Sequence, residues 1–237
     1  MERLARLELS YLQAFRHHSP LPTLSRYLAS DPSFFVDVVS RVYRPRLSEA
    51  AKDAATSGPG PEVDVELDEA QQAIALNAYH LLSEWRTIPG KREDGTVDGE
   101  VLNQWVSEAR HLLRAAHRLG VGDSHIGMVL ASSPAADPDG TWPCVEVRDL
   151  LETTQSEEIE NGLQIQIYNN RGATRRGVFD GGEQELELAA KHKERAMQFS
   201  DRWPRTAAIF RSLAEGYERE ARHFDETAER RRKGFEN

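Results

Sequence analysis

Apolar residues recur at three- and four-residue spacing along most of the chain, which is the period of an amphipathic helix. The amino-terminal part shows this period in three short segments, within residues 2–17, 21–29 and 33–42. Asp31 and Pro32 indicate a helix start, because an aspartate caps free amides and a proline suits the first helical position. The apolar residues of the third segment are predicted to enter the core: Phe34, Phe35, Val38, Val39 and Val42.

A change of composition interrupts the pattern. Residues 46–66 are rich in Ala, Ser, Gly, Pro and charged residues, which is typical of a linker or mobile loop. The pattern therefore predicts a three-helix amino-terminal segment (1–45), a linker or mobile loop (46–66) and a main helical domain (67–237).

Helical spacing resumes in the main domain and continues nearly to its end. Helices are predicted over 68–85, over 98–119 with Gly120 as the carboxy-terminal cap, from Asp123 or Ser124 to Leu130, from Trp142-Pro143 to Leu151, from Ser156 to Ile167, over 183–200, and from Trp203-Pro204 to about Lys233. The alternation from Leu163 to Tyr168 also suits a strand, but no second strand pattern exists to pair with it. The prediction is an all-α fold of about nine or ten helices, arranged as an irregular multi-helix bundle or a short α-solenoid.

Charge and composition narrow the classes of function. Lys plus Arg is 30 and Asp plus Glu is 39, so the net charge is −9, which argues against extensive nucleic-acid binding. No apolar run is long enough to span a membrane, and the amino terminus lacks the apolar core of a signal peptide. The single cysteine, Cys144, cannot form an intramolecular disulfide. These features predict a cytoplasmic location without a membrane partner.

Residues 169–182 fit neither helix nor strand periodicity and contain four glycines and three arginines. Glycines permit close backbone approach and arginines suit carboxylates and phosphates, so such a loop before a helix could cradle an anion. The candidates for anion binding are Arg171, Arg175 and Arg176, with Gly172 and Gly177 beside them. A structural loop is the other interpretation, because acidic residues follow at once: Asp180, Glu183, Glu185 and Glu187.

A metal-binding pattern occurs twice. Glu108 and His111, and likewise Glu220 and His223, are three residues apart, a spacing that puts both side chains on one helix face. Glu84 and Glu194 would complete a di-metal site. A Glu and a His at this spacing are also a common local surface pair, and no metal or other cofactor is expected.

Other candidate chemistry has a plainer interpretation. Cys144 lies near a helix start, which lowers a thiol pKa, but a lone cysteine is usually a small buried group. The basic residues 230–233 suit the carboxy-terminal dipole of the last helix as a solvated end. No Gly-x-Ser-x-Gly, phosphate-binding loop or dinucleotide fingerprint is present, so no catalytic residue is predicted.

Three strings together resemble the carboxy-terminal helical region of large, mostly uncharacterised bacterial proteins encoded near antiviral defence genes. They are Asp31-Pro32-Ser33-Phe34-Phe35-Val36, Asp139-Gly140-Thr141-Trp142-Pro143 with Val147-Arg148-Asp149, and Asn170-Arg171-Gly172 through Gly181-Gly182 to Trp203-Pro204. The resemblance implies a terminal scaffold or sensing module of a larger defence-type protein, with any enzymatic effector elsewhere.

The sequence thus predicts a non-catalytic helical scaffold or protein-interaction module. Its partner would be another protein or another region of a larger polypeptide. One alternative is a module that binds a phosphate ligand or a nucleic-acid end through loop 169–182. A second alternative is a di-metal helical-bundle enzyme.

Overall fold

The computed structural model describes residues 22–44, 69–135, 137, 140–172 and 174–235. These residues form nine helices and no strand, with one isolated bridge between Lys91 and Val97. The helices are α1 (Pro22–Ser30), α2 (Pro32–Val42), α3 (Glu69–Glu84), α4 (Gly99–Ala115), α5 (Leu119–Leu130), α6 (Val145–Thr154), α7 (Glu157–Asn169), α8 (Glu183–Phe199) and α9 (Pro204–Phe235). The all-α prediction is confirmed. The helix predicted within 2–17 and the linker 46–66 lie outside the described residues.

One aromatic cluster holds the amino-terminal helices on the main domain. Helix α2 packs against α3 and α4, and Asp31 caps it by accepting hydrogen bonds from the amides of Ser33 and Phe34. The Phe35 ring centroid lies 5.4 Å from that of Trp85 and 5.2 Å from that of Trp105. All three side chains are buried, and aromatic groups of this size contribute much of the apolar burial that stabilises a core. The division at 46–66 stays a prediction, but α1 and α2 share one core with the helices after it.

Helices α5 and α7 approach each other backbone to backbone. A Cβ atom added at Gly127 would lie 2.0 Å from the carbonyl oxygen of Ile159, and one at Gly162 would lie 2.0 Å from that of Ser124. Only glycine fits such positions, because any side chain would push the helices apart. The buried carboxylate of Asp123 joins the same pair by accepting a 2.7 Å hydrogen bond from the Ser156 hydroxyl.

Helices α8 and α9 form a hairpin that packs against α6 and α7 through α9. Glu152 of α6 accepts hydrogen bonds from the Arg205 and Thr206 amides, both at 3.0 Å, and so caps the start of α9. A row of rings fills the hairpin: Phe199, Phe210, His192 and Tyr217, with neighbouring centroids 5.5–5.7 Å apart. Loop 169–182 lies at the end of the hairpin away from the turn that joins α8 to α9.

Three predicted helix boundaries are wrong: the end of α4, the start of α5 at Asp123 or Ser124, and the start of α6. Helix α4 ends at Ala115 rather than Leu119, and α5 begins at Leu119, so Gly120 lies within a helix instead of capping one. The reason is His117, whose φ of 55° gives it the left-handed conformation that a glycine usually adopts after a helix. Pro143 does not begin α6 either, because Cys144 precedes the first helical residue, Val145. Pro204 does begin α9, as predicted.

Candidate functional site

Arg171 lies where α7 ends and loop 169–182 begins. Its guanidinium donates to the Glu185 carboxylate and, at 3.2 Å, to Oε2 of Glu220. The same guanidinium lies over the Tyr217 ring, with 5.2 Å between Cζ and the ring centroid. Arg171 therefore connects the end of α7 to both helices of the hairpin.

Arg176 contacts the same carboxylate from farther along the loop. Its Nη2 lies 2.7 Å from each Glu185 oxygen, and its Nη1 donates to the carbonyl of Gly181. The guanidinium also stacks on Phe224 of α9, 3.6 Å from the ring centroid, which adds a cation–π attraction. The loop backbone is thus held to α8 and α9 by side chains of its own arginines.

Glu185 is the centre of this arrangement, which we call the Glu185 cluster: Arg171, Arg176, Glu185 and Glu220. The Glu185 side chain is fully buried. Burial acts to raise the pKa of its carboxyl, but the hydrogen bonds from Arg176 and Arg171 outweigh it and hold the pKa below its ordinary value. The carboxylate is therefore ionised at neutral pH. It neutralises positive charge on Arg171 and Arg176 that would otherwise attract an external anion.

The other predicted anion-binding residues are less constrained. Arg175 is exposed, and within the described chain its side chain makes no hydrogen bond or ion pair. Gly172 has a φ of 74°, so the turn there needs glycine, and the Gly177 amide donates to Asp180 at 2.6 Å. The anion-binding hypothesis for this loop stays a prediction, with two of its three arginines already bound to Glu185.

The carboxy-terminal basic residues also contact the loop. Arg231 donates to the Val178 carbonyl at 3.1 Å, and Arg232 donates to the Phe179 carbonyl at 2.8 Å. The side chains of Val178 and Phe179 are exposed. Two of the four basic residues therefore fix the loop tip to the last turns of α9, a contact that local sequence could not indicate.

The residues of the two Glu-x-x-His patterns do not come together as a metal site. Glu108, His111 and His223 are exposed, and Glu220 accepts a 2.6 Å hydrogen bond from the Tyr168 hydroxyl besides its contact with Arg171. In the described part of the chain, no group of three or more His, Cys, Asp or Glu side chains could hold a metal ion. Glu220 belongs to the Glu185 cluster instead.

The environments of the Cys144 thiol and of the His125 and His192 imidazoles favour the neutral forms of these groups. Burial raises the pKa of the Cys144 thiol, which accepts a hydrogen bond from Ser133. Burial likewise lowers the pKa of His125 and of His192 to about 4. Each of these groups is therefore mostly uncharged at neutral pH.

A small groove opens between α7 and α9 beside the Glu185 cluster. Its volume is 190 Å³, and its lining includes Ile165 and Tyr168 from α7 and Leu213, Gly216 and Tyr217 from α9. Leu213 and Tyr217 are buried, whereas Ile165 and Tyr168 are 46% and 43% exposed. The groove thus has an apolar floor and an apolar rim on its α7 side. Sequence periodicity missed it because both helices were expected to bury their apolar sides.

The fold and this loop define an all-α protein in which a buried carboxylate closes the end of a helical hairpin. No family model, no curated protein and no solved structure matches the chain. None of the helices in the described residues has the length and apolar character needed to cross a membrane.

Proposed function

We propose that the chain is a non-catalytic helical interaction module, and that the groove between α7 and α9 receives an apolar side chain of a partner protein. The observation that carries the proposal is the pair of exposed apolar residues, Ile165 and Tyr168, beside a recess of 190 Å³. A recess of this size holds a single large side chain. Binding energy at protein interfaces concentrates in such anchors, which fill pockets near the centre of the contact.

Contacts within the chain shape the groove. The Tyr168 ring stacks on Tyr217 with 5.6 Å between centroids, and its hydroxyl is fixed by Glu220. Gln164 donates to Ser212 at 3.1 Å across the two helices. Because these side chains are held before binding, a partner loses less free energy in ordering the surface. The Glu185 cluster therefore supports the groove instead of binding a ligand itself.

Charge indicates what kind of segment fits. Arg219 lines the groove and is exposed, and its side chain makes no hydrogen bond or ion pair with the described residues. A segment with an apolar anchor and a nearby carboxylate would fill the groove and pair with this guanidinium. We infer that the partner segment is acidic and amphipathic, and that it belongs to another protein or to another region of a larger polypeptide. Membership of a defence-type protein stays a prediction.

Phosphate binding by loop 169–182 is a weaker candidate function. Arg171 and Arg176 would have to leave a buried carboxylate before they could bind an external anion. Separating such a pair costs several kcal/mol, more than one surface phosphate contact returns. Di-metal catalysis receives no support from the positions of its candidate residues.

The test uses Gly216, which faces the groove. A Cβ added there would meet no atom closer than Nη2 of Arg219 at 3.8 Å, so a larger residue fits. The Gly216→Met variant should fill the groove while stabilising α9 by about 0.5–1 kcal/mol, because methionine favours a helix more than glycine does. Random peptides displayed on phage would be selected on the wild-type protein, and the selected sequences synthesised for affinity measurements.

We expect selected peptides to share an apolar anchor with a nearby Asp or Glu. Their affinity should fall at least about tenfold in Gly216→Met and severalfold in Arg219→Gln. Glu215→Met is the matched control, since Glu215 is exposed on the same helix and does not line the groove. Selection without a shared motif, or peptides that bind Gly216→Met as tightly as wild type, would overturn the proposal.

A further inference from the structure

A larger cavity lies at the other end of the bundle, where α2 ends and α4 turns into α5. Its volume is 680 Å³, within the range of about 300–1,000 Å³ typical of small-molecule sites. Three arginines and a histidine line it: Arg44, Arg114, Arg118 and His117. We call this the turn cavity. It shares no lining residue with the α7–α9 groove.

The guanidinium groups of the turn cavity differ in what they contact. Arg118 is held in place, since its Nε donates to the Tyr43 carbonyl and its Nη1 to the Ala116 carbonyl, both at 2.7 Å. The side chains of Arg44 and Arg114 make no hydrogen bond or ion pair with any described residue. Glu158 is the only carboxylate among the described residues that line the cavity, so positive charge is in excess among them. One fixed arginine and two arginines without a partner among the described residues therefore border one concave space.

Backbone donors border the same space. Leu119, Gly120 and Val121 form the first turn of α5 and line the cavity. Within the described chain their amides have no acceptor, and the residue before them makes no capping hydrogen bond. The first amides of a helix carry partial positive charge and suit an anion. The arginines and these amides together offer the donors that a phosphate group accepts from.

His117 lines the cavity from a backbone conformation that opposes its residue type. Its φ of 55° lies in the left-handed region, which favours glycine over histidine. A glycine there would relieve the backbone but remove a side chain from the cavity. This position therefore offers a variant in which stability and ligand binding change in opposite directions.

We propose that the turn cavity binds a small molecule bearing a phosphate group. Arg44 and Arg114 would pair with the phosphate oxygens, and the amides of α5 would complete the contact. A small molecule is favoured over nucleic acid, because the site is concave and the chain carries a net charge of −9, which repels an extended polyanion. The proposal is independent of the groove and of any protein partner.

The test measures binding of inorganic pyrophosphate by isothermal titration calorimetry at low ionic strength. We expect saturable binding to the wild-type protein and at least about tenfold weaker binding to Arg114→Gln and to Arg44→Gln. Arg175→Gln should bind as wild type does, because it removes an exposed arginine of loop 169–182 that also has no side-chain partner among the described residues. His117→Gly should bind more weakly while its melting temperature stays the same or rises.

Three results would overturn the proposal. One is the absence of saturable heat at millimolar pyrophosphate. Another is an equal loss of affinity in Arg175→Gln and Arg114→Gln, which would indicate general charge attraction. The third is a 5′-phosphorylated oligonucleotide that binds far more tightly than pyrophosphate and loses its affinity in Arg114→Gln, which would assign the cavity to nucleic-acid ends.

Discussion

Loop 169–182 and the turn cavity both contain three arginines, but two of the three differ in state between the regions. In the loop, Arg171 and Arg176 share one buried carboxylate, Glu185. At the turn cavity, Arg44 and Arg114 have no carboxylate partner among the described residues. The loop has the composition of an anion site and the contacts of a structural support. Whether a guanidinium can bind an external anion thus depends on its ion pairs in the folded chain, which local composition does not reveal.

Two buried carboxylates, Glu185 and Asp123, show a similar dependence on their contacts. Glu185 accepts from two arginines, whereas Asp123, on α5, accepts from one arginine, Arg110, and from Ser156. Burial raises the pKa of Asp123 despite those hydrogen bonds, while the two arginines lower that of Glu185. At Asp123, one guanidinium does not offset the free-energy cost of burying a charged carboxylate, whereas two guanidinium groups do so at Glu185.

The largest expected effect comes from removing the charge that the loop arginines share. Glu185→Gln should destabilise the protein by about 3–5 kcal/mol, because it removes the charged carboxylate that two mostly buried guanidinium groups share and leaves Arg171 with Glu220 alone. Urea unfolding followed by circular dichroism measures the change. Glu183→Gln, an exposed neighbour on the same helical turn, should change stability by less than about 0.5 kcal/mol. Equal effects of the two variants would show that Glu185 has no special role.

Acid should weaken the hairpin through His192. The unfolded chain binds a proton at this residue near its ordinary pKa of about 6.5, but burial and, to a lesser extent, Arg195 lower the folded pKa to about 4. Unfolding therefore takes up a proton between these values, and stability falls as pH falls through this window, by up to about 3 kcal/mol. His125 acts in the same direction.

The variant His192→Phe isolates that contribution. Phenylalanine keeps a ring between Phe210 and Tyr217 but does not titrate. Urea unfolding at pH 7 and at pH 4.5 should show a clearly smaller loss for this variant than for the wild-type protein. The same loss in both proteins would mean that His192 is already accessible to protons in the folded chain.

Asp123→Asn should have the smallest effect of the three substitutions, about 1–2 kcal/mol, because asparagine can still accept from Arg110 and the neutral form suits the site.

The pH dependence of these two carboxylate variants gives a sharper comparison. Because the folded pKa of Asp123 is raised, protonation stabilises the wild-type protein as pH falls toward about 4. The destabilisation caused by Asp123→Asn should therefore grow. The folded pKa of Glu185 is lowered instead, so the destabilisation caused by Glu185→Gln should shrink below about pH 4. Unfolding measured from pH 7 to pH 3 checks both signs.

Much of the fold follows from local pattern. Phe34, Phe35 and Val38 lie in the core as their spacing predicted, and Asp31 and Ser156 cap the helices that they precede. The stretch from Leu163 to Tyr168 is helical, although its alternation also suited a strand. The boundary at His117 could not be predicted, because a left-handed histidine leaves no mark in a hydrophobic pattern.

The sites depend on contacts between residues far apart in sequence. Acidic residues after the loop suggested pairing, but only the folded hairpin shows that Glu185 is buried and that Glu220 joins it. The turn cavity combines Arg44 with Arg114 and Arg118, which no spacing rule connects. The groove requires Ile165 and Tyr168 to stay exposed on a helix that buries Ile159 and Leu163.

The glycine contact between α5 and α7 has a mechanical consequence. Gly127 and Gly162 leave the two backbones no room to slide past each other, so the helices are expected to move as one rigid lever. One arm of this lever begins at the turn cavity, and the other carries Ile165 and Tyr168 to the groove. A ligand that tilts α5 would therefore shift the groove wall, and by reciprocity a partner held in the groove would change the affinity of the cavity.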